Sequence, residues 1–198
     1  MRAMKRTAAL SLAVGALGCS GPVVDTGEPP VTTKTAAPSP APPQQPRVEH
    51  LVNGFDYAGE VNGATWYFFT TPSGRWECAI VPRVTAGCQA AGGRSSLGIT
   101  GAPDSVLDAA GEESTPNAIE VPRDGEPRFS AVEPPGFGLA EGTPVELPFN
   151  RVLSVAGFRC NVQEATGVSC MSDKSRRGFT FSAEGFTPAY VEVPADAP

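Results

Sequence analysis

Histidine is nearly missing from this chain: among 198 residues only His50 carries an imidazole. A Ser-His-Asp or Cys-His arrangement needs that side chain held against a nucleophile, and a His-based zinc site needs more than one, so both chemistries are disfavoured. His50 also stands between a proline-rich segment and the first strand-like segment, where a mobile chain poorly orients a base. Lysine is almost as scarce, with three residues against twelve arginines, and acidic residues outnumber basic ones by 21 to 15. Setting aside Arg2, Lys5 and Arg6 at the extreme N-terminus leaves 21 acidic against 12 basic residues, a formal charge near −9. Such a surface argues against a nucleic-acid partner and against simple electrostatic adhesion to anionic lipid or wall polymer. No apolar run approaches the roughly 20 residues that span a bilayer.

What is present starts with the N-terminus. Arg2, Lys5 and Arg6 form a basic n-region, residues 8–17 a short apolar run, and Gly18 precedes Cys19. This is the plan of an export signal. Ala16-Leu17-Gly18-Cys19 fits the bacterial lipobox, in which the cysteine thiol receives a diacylglycerol and becomes the first residue; Leu17 is its imperfect position. Ala16 and Gly18 equally satisfy the small-x-small rule of ordinary signal cleavage, which yields a soluble secreted protein. Cysteine arithmetic favours lipidation of Cys19, because five cysteines are odd and four then remain to pair. Two or more acyl chains give stable attachment at about 0.8 kcal/mol per buried CH₂. Residues 20–46 hold eight prolines among 27 positions, interleaved with Thr, Ser, Ala and Gly. That composition is a disordered tether, extended at about 3.1 Å per residue. The expected division is a lipoprotein signal peptide at 1–18, lipidated Cys19 with a Pro-rich linker at 19–46, and one β-rich domain at 47–198.

The domain reads as all-β. Residues 64–71 are aromatic and β-branched and end at the turn cluster Pro72-Ser73-Gly74, the mark of a strand buried on both faces. Residues 76–81 alternate, with Trp76, Cys78 and Ile80 on one face and Glu77 on the other. Residues 89–144 are loop-heavy, with strand-like islands at 118–121 and 128–132 and a helical turn expected at 105–110. Strands return at 151–155, 157–163, 167–171, 178–182 and 189–193. The expected architecture is a small disulfide-bonded sandwich or partly open barrel. An internal echo sharpens it: Trp76-x-Cys78-x-Ile80 and Phe158-x-Cys160-x-Val162 each lead through nine residues to a second cysteine, Cys88 and Cys170. Aromatic, cysteine and β-branched residue share a strand face, and a short turn brings the second cysteine back to it. Gly167 suits a hairpin position at positive φ. Cys78–Cys88 and Cys160–Cys170 are therefore favoured among three connectivities, with a cross-link between the two hairpins as the alternative.

At this point the residues resemble a family. Phe69-Thr-Thr-Pro-Ser-Gly74 running into Cys78-Ala-Ile80, then Leu147-Pro-Phe149, Gly157-Phe-Arg-Cys160, Thr166-Gly-Val-Ser-Cys170 and Gly178-Phe-Thr-Phe-Ser182, are similar to the ordered motifs of uncharacterised exported proteins and lipoproteins of actinobacteria. The match covers two blocks, about residues 66–88 and 147–186. Arg75-Trp76 replaces the usual Asn-Ile, Phe149-Asn150 replaces Tyr-Gly, and Arg177 stands where relatives often have histidine. The resemblance implies a location and a small disulfide-bonded domain, and it carries no activity.

Remaining motifs have bland readings. Gly93-Arg-Ser-Ser-Leu-Gly98 lacks the second glycine of a nucleophile elbow and reads as a solvated loop, and Lys174 has no serine three residues before it. Asp104, Asp108, Glu112 and Glu113 lack the glycine turn and register of an EF-hand and read as a solvated acidic loop. The nine-residue cysteine spacings and an oxidising exterior favour disulfides over zinc. Trp66, Tyr67, Phe68 and Phe69 are expected to pack on both faces of a strand, in preference to forming an exposed stacking platform. Phe129, Phe137 and the Pro134-Pro135-Gly136 turn lie in the loop-rich middle and mark a place for exposed apolar groups to meet a partner. The expected function is a non-enzymatic binding or accessory module of the cell envelope, held on the outer face of the membrane through Cys19, with an envelope protein or wall component as partner and neither metal nor cofactor. The alternatives are a glycan or lipid hydrolase using a carboxylate pair, and a small-ligand or lipid carrier.

Overall fold

The computed structural model describes residues 48–198. Cys19, the expected signal peptide and the proline-rich linker lie outside the described residues. Among those described there is no α-helix; two short 3-10 segments, Val48–His50 and Gly54–Tyr57, precede the first strand. In chain order the strands are β1 Ala58–Val61, β2 Ala64–Thr70, β3 Trp76–Val81, β4 Thr85–Ala90, β5 Val106–Leu107, β6 Glu113–Ser114 and β7 Ala118–Pro122. They continue as β8 Arg128–Ser130, β9 Val145–Glu146, β10 Val152–Val155, β11 Phe158–Gln163, β12 Gly167–Ser172, β13 Gly178–Ser182 and β14 Gly185–Thr187.

Strands β1-β2-β3-β4-β7-β8 form one antiparallel sheet, with β9 added in parallel at the end of β2. Strands β10 to β14 form a five-stranded antiparallel meander, and β5 with β6 makes a separate ribbon. The main sheets do not close into a barrel. Their inward faces share one apolar cluster, so the molecule is an all-β sandwich.

Period-2 alternation in the sequence becomes two facing rows. Phe69, Cys78, Cys88, Ile119 and Phe129 are register partners across the first sheet, and Leu153, Cys160, Cys170 and Phe179 across the second. The cysteines are bonded as Cys78–Cys88 and Cys160–Cys170, each pair directly opposite, with Cα atoms 4.0 and 4.1 Å apart. The local hairpin pairing therefore holds, and Gly167 does take positive φ, at 88°. Trp76 meets Phe181 edge-on at 5.1 Å, and Phe129 of β8 meets Phe186 of β14 at 5.0 Å, which knits the two sheets together.

Both outward faces are covered as well. On the first sheet Phe68, Ala79, Ala118 and Phe137 form a second apolar cluster, with Phe137 supplied by the loop after β8. Gly87 and Ala79 are register partners, and this pair of small residues makes the seat on which the Phe137 ring lies. Gln89 fixes the loop, accepting from Phe137 N at 2.8 Å and donating to Pro135 O at 3.0 Å. The aromatic run behaves as expected of a doubly buried strand: Phe69 joins the inter-sheet core and Phe68 the outer cluster.

Two expected elements are corrected. Residues 105–110 form no helical turn; they contain β5 and an Asp108-centred turn that returns to β6. Residues 189–193 form no strand, because side chains of the second sheet, and not a backbone ladder, hold them.

A methyl group added at Gly87 would intrude on the Phe137 ring. Gly87→Ala should destabilise the domain by about 1–3 kcal/mol, as overpacking does. Phe137→Ala in the same chain should make the two effects less than additive in urea titrations.

Candidate functional site

Two surfaces bring polar chemistry together. The first is a buried polar layer on the outward face of the second sheet. On β11 the inward residues Phe158, Cys160 and Val162 alternate with Arg159, Asn161 and Gln163, and all six are buried. The outward three are covered by residues 189–192. Arg159 donates through Nε and Nη2 to Asp173 Oδ1 at 2.8 and 2.6 Å, while its Nη1 faces Glu192 Oε1 at 4.0 Å. Asn161 Nδ2 donates to the Tyr190 hydroxyl at 2.9 Å and to Val191 O at 3.0 Å. Gln163 Nε2 reaches Asn161 Oδ1 at 3.0 Å and Val191 O at 3.2 Å. Thr180 Oγ1 donates to Ala189 O at 2.7 Å.

Burial raises the phenol of Tyr190 well above its usual value. Burial also raises the Glu192 carboxyl, with Arg159 and Arg176 opposing the shift. Beside this layer a cleft of about 410 Å³ is lined by Met171, Arg176, Arg177, Tyr190 and Glu192, with Arg177 paired to Glu126. Asp173 and Glu192 both contact the Arg159 guanidinium, so the converging carboxylates hold a cation and anchor the C-terminal segment.

The second surface is a groove of about 730 Å³ on the outward side of the first sheet. It is lined by Val61, Trp66, Pro135 and Leu139 with the acids Glu133 and Glu141, and by Glu60 at the edge of β1, whose side chain alternates to the other face from Val61 and Trp66. Trp66 is half-buried and braced by Phe68, with ring centroids 6.0 Å apart. The groove is made by β1, by Trp66 of β2 and by the loop that carries Phe137, so the packing of that loop on Gly87 also shapes it.

The residues singled out from sequence fall in various places. Cys78, Cys88, Cys160 and Cys170 are disulfide-bonded and fully buried in the inter-sheet core. His50 corrects the expectation of a mobile edge: it is 4% exposed, because Leu51 bridges to Val152 and Val52 N donates to Val152 O at 3.1 Å. Neither ring nitrogen has a hydrogen-bond partner, so no hydroxyl is paired with it as a nucleophile. Leu97 also departs from the solvated-loop reading, since it is buried and its carbonyl accepts from Trp76 Nε1 at 3.3 Å. Asp108 organises its own turn, its Oδ1 accepting from Ala110 N and Glu112 N at 2.9 Å, and these bonds lower its carboxyl. Among the described residues no group of His, Cys, Asp or Glu is placed to hold a metal ion.

Sequence reasoning missed Arg159, Asp173, Tyr190 and Glu192. The only signal was the Arg159-x-Asn161-x-Gln163 alternation, which a solvent-facing strand displays equally well.

Removing the guanidinium should strip Asp173 of its partner and free the C-terminal segment. Arg159→Leu is expected to cost about 2 kcal/mol, the scale of a hydrogen bond to a charged group, and to raise hydrogen exchange across residues 188–194. Because burial raises the folded-state value of Glu192, its proton is held more tightly when folded. That contribution is complete below the ordinary carboxylate range and is lost as pH rises through the raised value. Glu192→Gln should flatten this part of the stability profile in denaturant melts.

Comparison with protein-family models, with curated proteins and with solved structures finds no match for this chain.

Proposed function

We propose that this chain is a cell-envelope lipoprotein, anchored on the outer face of the membrane through a lipid on Cys19, whose β-sandwich is a non-enzymatic binding module. The observation that carries the binding part is the groove at Trp66. It combines an apolar floor, an aromatic wall and the carboxylates of Glu133 and Glu141, whereas the acids of the buried polar layer are engaged with Arg159. Ligand sites have this composition, mostly apolar with a few placed polar groups. The anchoring part rests on the leader, the lipobox and the tether, and the resemblance to exported actinobacterial proteins agrees with it.

Hydrolysis by a carboxylate pair is less well supported. A glycosidase leaves space for sugar and water between its two carboxyls, whereas Asp173 and Glu192 share one guanidinium. A carrier is less well supported too, since the space between the sheets is filled by the aromatic and disulfide rows.

Anchoring has a direct readout. Wild-type protein should partition with membranes and carry a diacyl mass on its N-terminal peptide, and Cys19→Ala should be released or retained as an uncleaved precursor. A membrane-bound Cys19→Ala protein together with a wild type free of acyl mass would overturn the lipoprotein reading.

A further inference from the structure

The groove also constrains what occupies it. Strand β1 is the terminal strand of its sheet, paired on one side with β2 alone. Its two-residue connection to β2 is Asn62-Gly63, with φ of 51° and 78°, the conformation of a tight hairpin. In such a hairpin Val61 and Ala64 form the hydrogen-bonded pair next to the turn, so the backbone N–H and C=O of Glu60 point to the open edge. No backbone hydrogen bond joins the loop of residues 131–144 to β1, so among the described residues this edge has no strand partner. An unpaired edge beside an apolar floor is the template used in β-strand addition.

The charge is one-sided. Glu133 and Glu141 are exposed and, among the described residues, make no ion pair or side-chain hydrogen bond, and no described basic residue lines the groove. Elsewhere Glu120, Asp124 and Glu126 are paired with Arg128, Lys174 and Arg177, whereas Glu77, whose carboxylate lies beside Gly138 on the groove's own face, makes no ion pair among the described residues. Among the described residues no carboxylates are grouped to share one metal ion here. Separate negative charges along an open edge match a ligand with separate positive charges along an extended backbone. Trp66, whose indole N–H has no protein partner, presents the face on which a cationic side chain stacks best.

We infer that this groove docks an extended segment of an envelope protein bearing lysine or arginine at alternate positions, which pairs with the edge of β1 through the backbone of Glu60, stacks on Trp66 and neutralises Glu133 and Glu141. The inference rests on the binding-module reading and names the chemistry of its partner.

The test uses the full chain in detergent and a seven-residue peptide alternating Lys and Val. Controls are the same peptide with Thr for Lys, one N-methylated at alternate backbone positions, a chitin hexasaccharide and calcium ion. Binding is followed by tryptophan fluorescence and by calorimetry. The Lys peptide should bind, weaken with salt, and lose affinity by about tenfold or more in a Glu133→Gln, Glu141→Gln double variant. Trp66→Phe should retain the fold and weaken binding by a smaller factor. The N-methylated and Thr peptides should both fail. Lys-peptide binding that survives the double variant, or that tolerates N-methylation, overturns the inference. Binding of the hexasaccharide or calcium in place of the Lys peptide overturns it while leaving the module reading intact. Turnover of the peptide or hexasaccharide removes the module reading itself.

Discussion

The core between the two sheets depends on one arrangement: two cross-strand disulfides, each in the middle of a β-hairpin and each facing inward. Cys78–Cys88 lies in line with Phe69 and Ile119, and Cys160–Cys170 with Leu153 and Phe179. A disulfide between directly opposed residues locks the register of its hairpin. Since a slip of one residue would turn every inward side chain outward, that lock protects the whole inward face. Each bridge contributes on the order of 2–4 kcal/mol. For a domain of this size that is a large part of the total, because folding leaves only about 5–15 kcal/mol.

With the inward faces settled, the outward faces distinguish the two sheets. The first is capped by an apolar contact, Phe137 lying on the small residues Gly87 and Ala79. The second is capped by a polar one, where Arg159, Asn161 and Gln163 hold residues 189–192 through their backbone carbonyls and through Tyr190, Asp173 and Glu192. The difference follows from what each cap brings. A ring needs a flat, small surface, whereas an irregular backbone laid across a sheet must have its polar groups satisfied by the side chains beneath it.

The candidate binding groove is a consequence of the first kind of cap. Where the 131–144 loop leaves its seat on Gly87 and passes toward β9, it stands off β1, and the space between them is the groove. Its wall, Trp66, belongs to the same outward row as Phe68, so one strand supplies core on one side and a ligand wall at the end of the other. A functional surface placed in this way is rigid on the strand side and adaptable on the loop side. The charged centre of the polar layer on the opposite sheet is buried, with Arg159 bonded to Asp173 through Nε and Nη2 while its Nη1 stands 4.0 Å from Glu192 without a hydrogen bond.

What the chain alone determined is local and periodic: the all-β class, the inward alternation of Trp76, Cys78 and Ile80 and of Phe158, Cys160 and Val162, and the two hairpin disulfides. Alternation at period 2 and a cysteine ten residues on are properties of neighbouring residues, and neighbours suffice to specify them. Other features depended on distant segments. Whether Arg159, Asn161 and Gln163 meet water or a buried tail was decided by residues 189–192, about thirty positions away in the chain. Whether His50 is mobile or buried was decided by Val152 of β10, and whether Phe137 is exposed in a loop or seated on a sheet by the absence of a side chain at Gly87. The groove likewise needs β1, β2 and the 131–144 loop to be brought together. Burial and concavity belong to tertiary packing, since a polar strand face reads the same in sequence whether solvent or another piece of chain covers it.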